Sequence, residues 1–249
     1  MGINPPTGNA LSHSLAGGSV CHLSAFSIES NVANLTSVPS QIAVNAQNYF
    51  GVAEYNKVLL ISNITLEQSA FGFSIRNDQG NIKHRSIQIA FCKKLNEHLS
   101  MGISLLHHRF KSHNVFYQTY KMVTFNVGIS YQVSQRLSIG AQVTNPKSSP
   151  ITNTPTEFLP SHIRLGARHS ISPNIKAYFD AVLTDNLPLL FCSGIELNND
   201  AYKIRCGFNN QQTFGFGISI LESTIEIDLG ILFHNALGLS PSINCNYAW

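Results

Sequence analysis

The stretch Val123-Thr-Phe-Asn-Val-Gly-Ile-Ser-Tyr-Gln-Val133 alternates without a break. Val123, Phe125, Val127, Ile129, Tyr131 and Val133 fall on one side, and Thr124, Asn126, Gly128, Ser130 and Gln132 on the other. A period of two marks a β-strand with one apolar face, because successive side chains point to opposite sides of the pleat. The pattern recurs along the chain. Phe71, Phe73 and Ile75 alternate with Gly72, Ser74 and Arg76; Leu99, Met101, Ile103 and Leu105 with Ser100, Gly102 and Ser104; Ile225, Ile227, Leu229 and Ile231 with Glu226, Asp228 and Gly230. Strands are expected at 41–50, 57–66, 68–77, 83–94, 97–110, 119–133, 135–144, 161–171, 173–184, 188–198, 200–208, 212–221, 223–234 and 239–249, with no helix among them.

Alternation fits both a soluble β-sandwich and a membrane barrel, so composition has to separate them. Only 12% of the residues are charged and 43% are hydrophobic. Soluble domains carry about 25% charged residues. A chain this poor in charge has little with which to coat a wetted surface. No apolar run reaches the ~18 residues of a spanning helix, so a membrane would be met by strands. The turns point the same way. Tight junctions at 66–68, 95–97, 133–136, 172–174, 198–200 and 221–223 mostly alternate with longer ones at 77–82, 111–118, 145–160, 185–188, 209–212 and 234–240. Outer-membrane barrels have short turns at one end and longer loops at the other. The expected fold class is all-β, a transmembrane antiparallel up-and-down β-barrel of about 14 strands. Residues 41–249 would form the barrel and 1–40 an N-terminal plug or lead-in, with Ala25–Thr36 as one short helix. The barrel's lipid-facing wall makes outer-membrane lipid its first partner.

Met1-Gly-Ile-Asn-Pro-Pro has neither the basic start nor the apolar stretch of a secretory signal, so residue 1 is expected to be a mature or engineered start. The net charge of +3 is too small and too evenly spread to argue for nucleic acid. Cys21, Cys92, Cys192, Cys206 and Cys245 have no Cys-x-x-Cys spacing; Cys92, Cys192, Cys206 and Cys245 lie in alternating strands and read as small apolar residues, with an occasional disulfide as the alternative, and neither a metal nor a cofactor is expected.

By parity, the inward positions of the later strands carry the charge: Arg164, Arg168, Lys176, Asp180, Glu196, Lys203, Arg205, Glu226 and Asp228. Pairs of Glu196 with Lys203 or Arg205, and of Arg205 with Glu226, are expected across neighbouring strands. Such a lining could select solutes. A salt-bridged network holding the barrel shut is the preferred reading, because paired charges cancel. The earlier inward positions, Gly72, Ser74, Ser86, Gln88, Ser100, Gly102 and Ser104, are small and uncharged, and the N-terminal segment is expected to sit against them.

Ser14-Leu-Ala-Gly-Gly-Ser-Val and Asn31-Val-Ala-Asn-Leu35 resemble the "GGA … NPAgL" opening of the FadL-type superfamily, particularly the PorV/PorQ-like barrels of Bacteroidetes. Glu54-Tyr, Phe71-Gly-Phe, Gly80, Ile89-Ala-Phe, Lys94-Leu and Leu99-Ser-Met-Gly-Ile extend the similarity over residues 14–106, with Val32 where the motif has proline. The resemblance implies a fourteen-stranded barrel with an N-terminal plug. Its members carry hydrophobic substrates across the outer membrane, or serve type IX secretion as barrels that bind secreted cargo. The first expectation is a non-enzymatic barrel acting through protein contacts, as a secretion-related component or a subunit of a larger outer-membrane complex. The alternatives are a transporter of small hydrophobic molecules and a porin-like channel. The aromatic end, Tyr247 and Trp249, is similar to the signal by which the barrel-assembly machinery reads such proteins.

His84-Arg-Ser86 has the His-x-Ser spacing of an outer-membrane phospholipase family, but a chain with ten histidines yields such a match by chance, and no enzyme is expected. His98, His107, His108 and His113 have no metal-ligand spacing. Asn34-Leu-Thr and Asn63-Ile-Thr fit the glycosylation pattern. The loop at 145–160 is the expected external contact surface.

Overall fold

The computed structural model describes residues 8–112, 119–147, 149–150 and 158–249. Residues 1–7, His113 and the middle of the 145–160 loop, named above, lie outside the described residues.

The first half of the strands is β1 (Gln41–Asn48), β2 (Asn56–Thr65), β3 (Ser69–Asp78), β4 (Ile82–Lys94), β5 (Leu99–Ser112), β6 (Tyr120–Gln132) and β7 (Leu137–Thr144). A two-residue ribbon, β8 (Ser149–Pro150) with β9 (Phe158–Leu159), interrupts the series. Then come β10 (His162–Ser172), β11 (Ile175–Thr184), β12 (Leu190–Asn198), β13 (Tyr202–Asn209), β14 (Thr213–Glu222), β15 (Ile225–His234) and β16 (Gly238–Ala248). Without the ribbon, the strands pair antiparallel in chain order and close into one barrel through β1 and β16. All fourteen expected strands are present, and the alternation closes on itself instead of splitting into two sheets.

Closure leaves no unpaired edge, which lipid would not tolerate. The alternation sorts the side chains. Along β6, Val123, Phe125, Ile129 and Tyr131 point outward, while Thr124, Asn126 and Gly128 are buried within. Short turns gather at one end and longer connections at the other. The last strand runs to the short-turn end, where the Trp249 N–H donates to the Ser40 carbonyl at 3.1 Å. Tyr247 and Trp249 lie outside the barrel, their ring centroids 6.3 Å apart. Cys206 and Cys245 are exposed on the same outer surface.

Residues 9–38 lie within the barrel and are nearly all buried. Instead of one helix over Ala25–Thr36, the segment forms α1 (Ala10–Ser14), α2 (Ser27–Ser30) and a 3₁₀ helix over Val32–Ser37. Asn31 explains the break. Its backbone is extended, and its side-chain oxygen accepts the Ala33 N–H at 3.2 Å, so it ends one helix and caps the next. Asn9 caps α1 in the same way, accepting from Leu11 and Ser12. The α1 chain then turns sharply at Ala16 and Gly17, both at positive φ, where glycine bears no Cβ penalty.

Asn34 and Asn63 are both buried, each donating to a backbone carbonyl, of Val20 and Pro39 respectively. Neither is presented as a glycosylation acceptor.

Candidate functional site

The lumen is the site, and the N-terminal segment is its floor and filling. On one side the wall offers Ala43, Leu59, Ile61, Ala70, Ala90 and Cys92, and the segment lays Leu11, Phe26, Ile28, Val32 and Leu35 against them. Close approach depends on absent side chains. A Cβ on Gly102 would stand 2.7 Å from Val32 Cγ1 and 2.9 Å from the Val32 carbonyl carbon. Hydrogen bonds fix the register: Gln88 Nε2 donates to the Ile28 carbonyl at 2.8 Å, and the Val32 N–H donates to Gln142 Oε1 at 2.8 Å.

The sequence carried a signal for this packing that the alternation concealed. Leu59 and Ile61 point inward while Val58 and Leu60 are exposed on the outer face, so β2 is apolar on both faces. A strand with a wet lumen behind it would not be, so the run Lys57-Val-Leu-Leu-Ile marks a wall covered from within.

The segment also meets the charged side of the lumen, which the expectation of a seat on small uncharged residues had left out. Asp180 is not ion-paired in the manner expected of a wall network; its Oδ2 accepts the backbone N–H groups of Ser19 at 2.7 Å and Val20 at 2.9 Å. Glu196 receives Arg205 Nε at 2.7 Å, Lys176 Nζ at 3.3 Å and His22 Nε2 of the segment at 3.2 Å. Arg205 continues to Asp228 at 3.5 Å and Glu226 at 3.8 Å, and Lys203 meets Glu226 at 2.6 Å. Asp228 is further held by Ser219, Asn244 and Asn246. Arg168 donates to Ser138 at 3.0 Å, outside this cluster, and Arg164 lines a separate cavity. The chain thus brings Lys176, Glu196, Lys203, Arg205, Glu226 and Asp228 into one network and leaves Asp180, Arg164 and Arg168 to other partners.

A second charged group was missed. Glu29 of the segment meets Lys57 Nζ at 3.2 Å and Arg76 at 3.5 Å, and Arg76 is held by Asp78 at 2.7 Å. Lys57 is fully buried and also donates to the Gly8 carbonyl at 2.6 Å. Asp78 continues to His84 Nδ1 at 3.1 Å, His84 Nε2 to His108 at 3.0 Å, and His108 to Thr124 at 2.9 Å. His84 therefore directs both ring nitrogens away from Ser86, and the His-x-Ser spacing does not assemble a nucleophile and base.

Within the segment, burial and the nearby Lys57 cation push His13 down to about 3. Burial lowers His22 as well, although Glu196 works against it. Burial, with Asp180 nearby, raises the Cys21 thiol to about 12. The segment is thus seated with neutral histidines and a neutral thiol.

The outer wall carries a hollow of about 830 Å³ spanning β6 to β13. It exists because Ala141, Ala167 and Ala181 stand among longer neighbours: Ala141 and Ala181 flank Leu165, and Ala167 lies between Ile139 and Phe179. Phe191 and Phe208 complete its rim. Gly140 and Gly166 form part of the hollow, and Val20 of the inner segment lies directly behind both.

The sequence matches no protein-family model and no curated protein. Solved structures give the fold. A FadL homologue of Pseudomonas aeruginosa superposes with a TM-score of 0.71 at 10% identity, covering 100% of both chains. The toluene transporter TodX of Pseudomonas putida gives 0.71 at 12% identity, covering 99% of this chain and 98% of that one. A TodX deletion mutant, a monoaromatic hydrocarbon channel, gives 0.67 at 10%, covering 96% and 97%. The fold is that of FadL-type outer-membrane barrels. None of these neighbours bears on PorV/PorQ or on type IX secretion.

Proposed function

We propose that this chain passes small hydrophobic molecules across the bacterial outer membrane. The observation that carries the reading is the apolar hollow of about 830 Å³ in the wall, backed by two glycines and the inner segment. The hollow opens on the outer, apolar face of the wall, so an apolar solute seated there stays among apolar side chains while it lies against the glycine-backed part of the wall. The likeness to a toluene transporter and to a monoaromatic hydrocarbon channel supports the same class of solute. Here the segment behind Gly140 and Gly166 is the movable part and the wall the fixed one.

The test is uptake of radiolabelled toluene by cells carrying the chain, beside Ala167→Trp and Ala181→Trp variants that fill the hollow from outside. Uptake above empty cells, cut several-fold in both variants with barrel assembly unchanged, is the expected result. Uptake no greater than in empty cells ends the proposal. A porin-like channel would instead show raised conductance in planar bilayers once residues 1–40 are deleted.

The paired charges and filled lumen also favour a second reading, a barrel acting through protein contacts in an outer-membrane or secretion complex. That role requires a partner to co-isolate from native membranes, and isolation without one removes it.

A further inference from the structure

A cavity of about 90 Å³ lies in the lumen near the long-loop end, against β4, β5, β6 and β10. Two guanidinium groups, Arg76 and Arg164, reach its wall, together with the hydroxyls of Ser86 and Thr144. Among the described residues lining it the one acid is Glu29, which belongs to the inner segment and not to the barrel. The volume suits a single small polar group and not a hydrocarbon.

Three observations show how that group would be held. The chain from Asp78 through His84 and His108 to Thr124 spends both ring nitrogens of each histidine, so the imidazoles form a fixed wall. Arg76 is anchored from behind, its Nε on Asp78 at 2.7 Å, which leaves the terminal nitrogens directed forward. There Glu29 meets them only at 3.5 Å, well beyond the 2.7–2.9 Å of a good guanidinium–carboxylate bond. Asn126, buried in the same wall, has an amide oxygen with no hydrogen-bond partner, and a half-turn of the amide presents its NH₂ group.

We propose that this cavity binds a small oxyanion, a phosphate or a carboxylate, and that its occupant competes with Glu29 for Arg76. Guanidinium forks match the oxygens of such groups, and hydroxyl and amide donors complete the set. Because Glu29 is carried by the inner segment, anion binding and seating of that segment oppose each other. This coupling stands independently of any transported solute.

The test uses the full chain in detergent, with Cys206 and Cys245 replaced by alanine so that thiol labelling reads the buried cysteines. Inorganic phosphate and benzoate are titrated separately by calorimetry against chloride at matched ionic strength. Saturable binding of phosphate alone assigns a free ion, and binding of benzoate assigns the head of an organic acid; either supports the site. Glu29→Gln removes the competitor and should raise affinity about tenfold, the size of one charged hydrogen bond. A role confined to holding the fold together would lower it instead. Arg164→Met, which leaves the ion pairs of Glu29 with Lys57 and Arg76 in place, should weaken binding about tenfold with Cys21 still shielded, and serves if the Glu29 variant does not fold. Saturating anion should speed labelling of Cys21. No binding beyond chloride, or an affinity that Glu29→Gln leaves unchanged or reduces, overturns the proposal.

Discussion

On the side of the lumen formed by β2 to β5, the inner segment lays Ile28, Val32 and Leu35 against Leu59, Ile61, Ala70 and Ala90. On the side formed by β11 to β16 it brings its backbone to carboxylates and bare glycines. Asp180 takes the N–H groups of Ser19 and Val20, and Gly215 and Gly230 face the carbonyls of His13 and Ala10 with no room for a Cβ. The first seat is an ordinary core in which side chains make the contacts. The second is a polar seat in which the wall satisfies main-chain groups that would otherwise be buried without partners. The first tolerates a change of shape, at the cost of a cavity; the second depends on charge pairing and on missing atoms.

Substitutions can separate the two. The largest effect is expected from Arg205→Met, which leaves Glu196 and Asp228 without their shared cation; about 3–5 kcal/mol should be lost, read by urea unfolding in detergent. A loss under about 1 kcal/mol, the range of an exposed pair, would remove the distinction between the seats. Leu35→Ala empties part of the apolar seat and should cost about 2–4 kcal/mol, accompanied by faster labelling of Cys92, whose thiol donates to the Ala33 carbonyl at 3.1 Å. Gly230→Ala inserts a methyl group against the Ala10 backbone and should cost about 1–3 kcal/mol while sparing Cys92. Equal exposure of Cys92 in both variants would show that the segment leaves as one body.

The most gradual effect is that of pH. His13 takes a proton at about 3 when seated and at its ordinary 6.5 when released. Seating is therefore fully supported above pH 6.5 and weakens progressively as pH falls towards 3. Labelling of Cys21, taken relative to the exposed Cys206 at the same pH, should rise as pH falls through that window, and His13→Gln should flatten the His13 part of the profile.

The strands were legible because burial on one face of a pleat writes a period of two into the chain, and lipid makes the signal stronger. The pairing of Glu196 with Arg205 was legible for the same reason, since parity and chain order put them side by side on β12 and β13. The partnership of Glu29 with Lys57 and Arg76 was not. Those residues meet because a non-repeating segment folds back into the barrel, and no local period records that path. Asp180 misled for a related reason: parity gives the direction of a side chain but not whether a cation or a backbone amide will meet it.

The seam between β1 and β16 joins Gln41 to Ala248, and the Ser40 carbonyl beside it receives the final N–H of the chain. In kinetic terms this is the strand pairing of greatest sequence separation, the kind that forms slowly because so much chain must be ordered first. The inner segment is joined to β1 at that same point and is synthesised before any strand. The ring is therefore closed beside the point at which the inner segment enters it, and Trp249 fastens that entrance through Ser40.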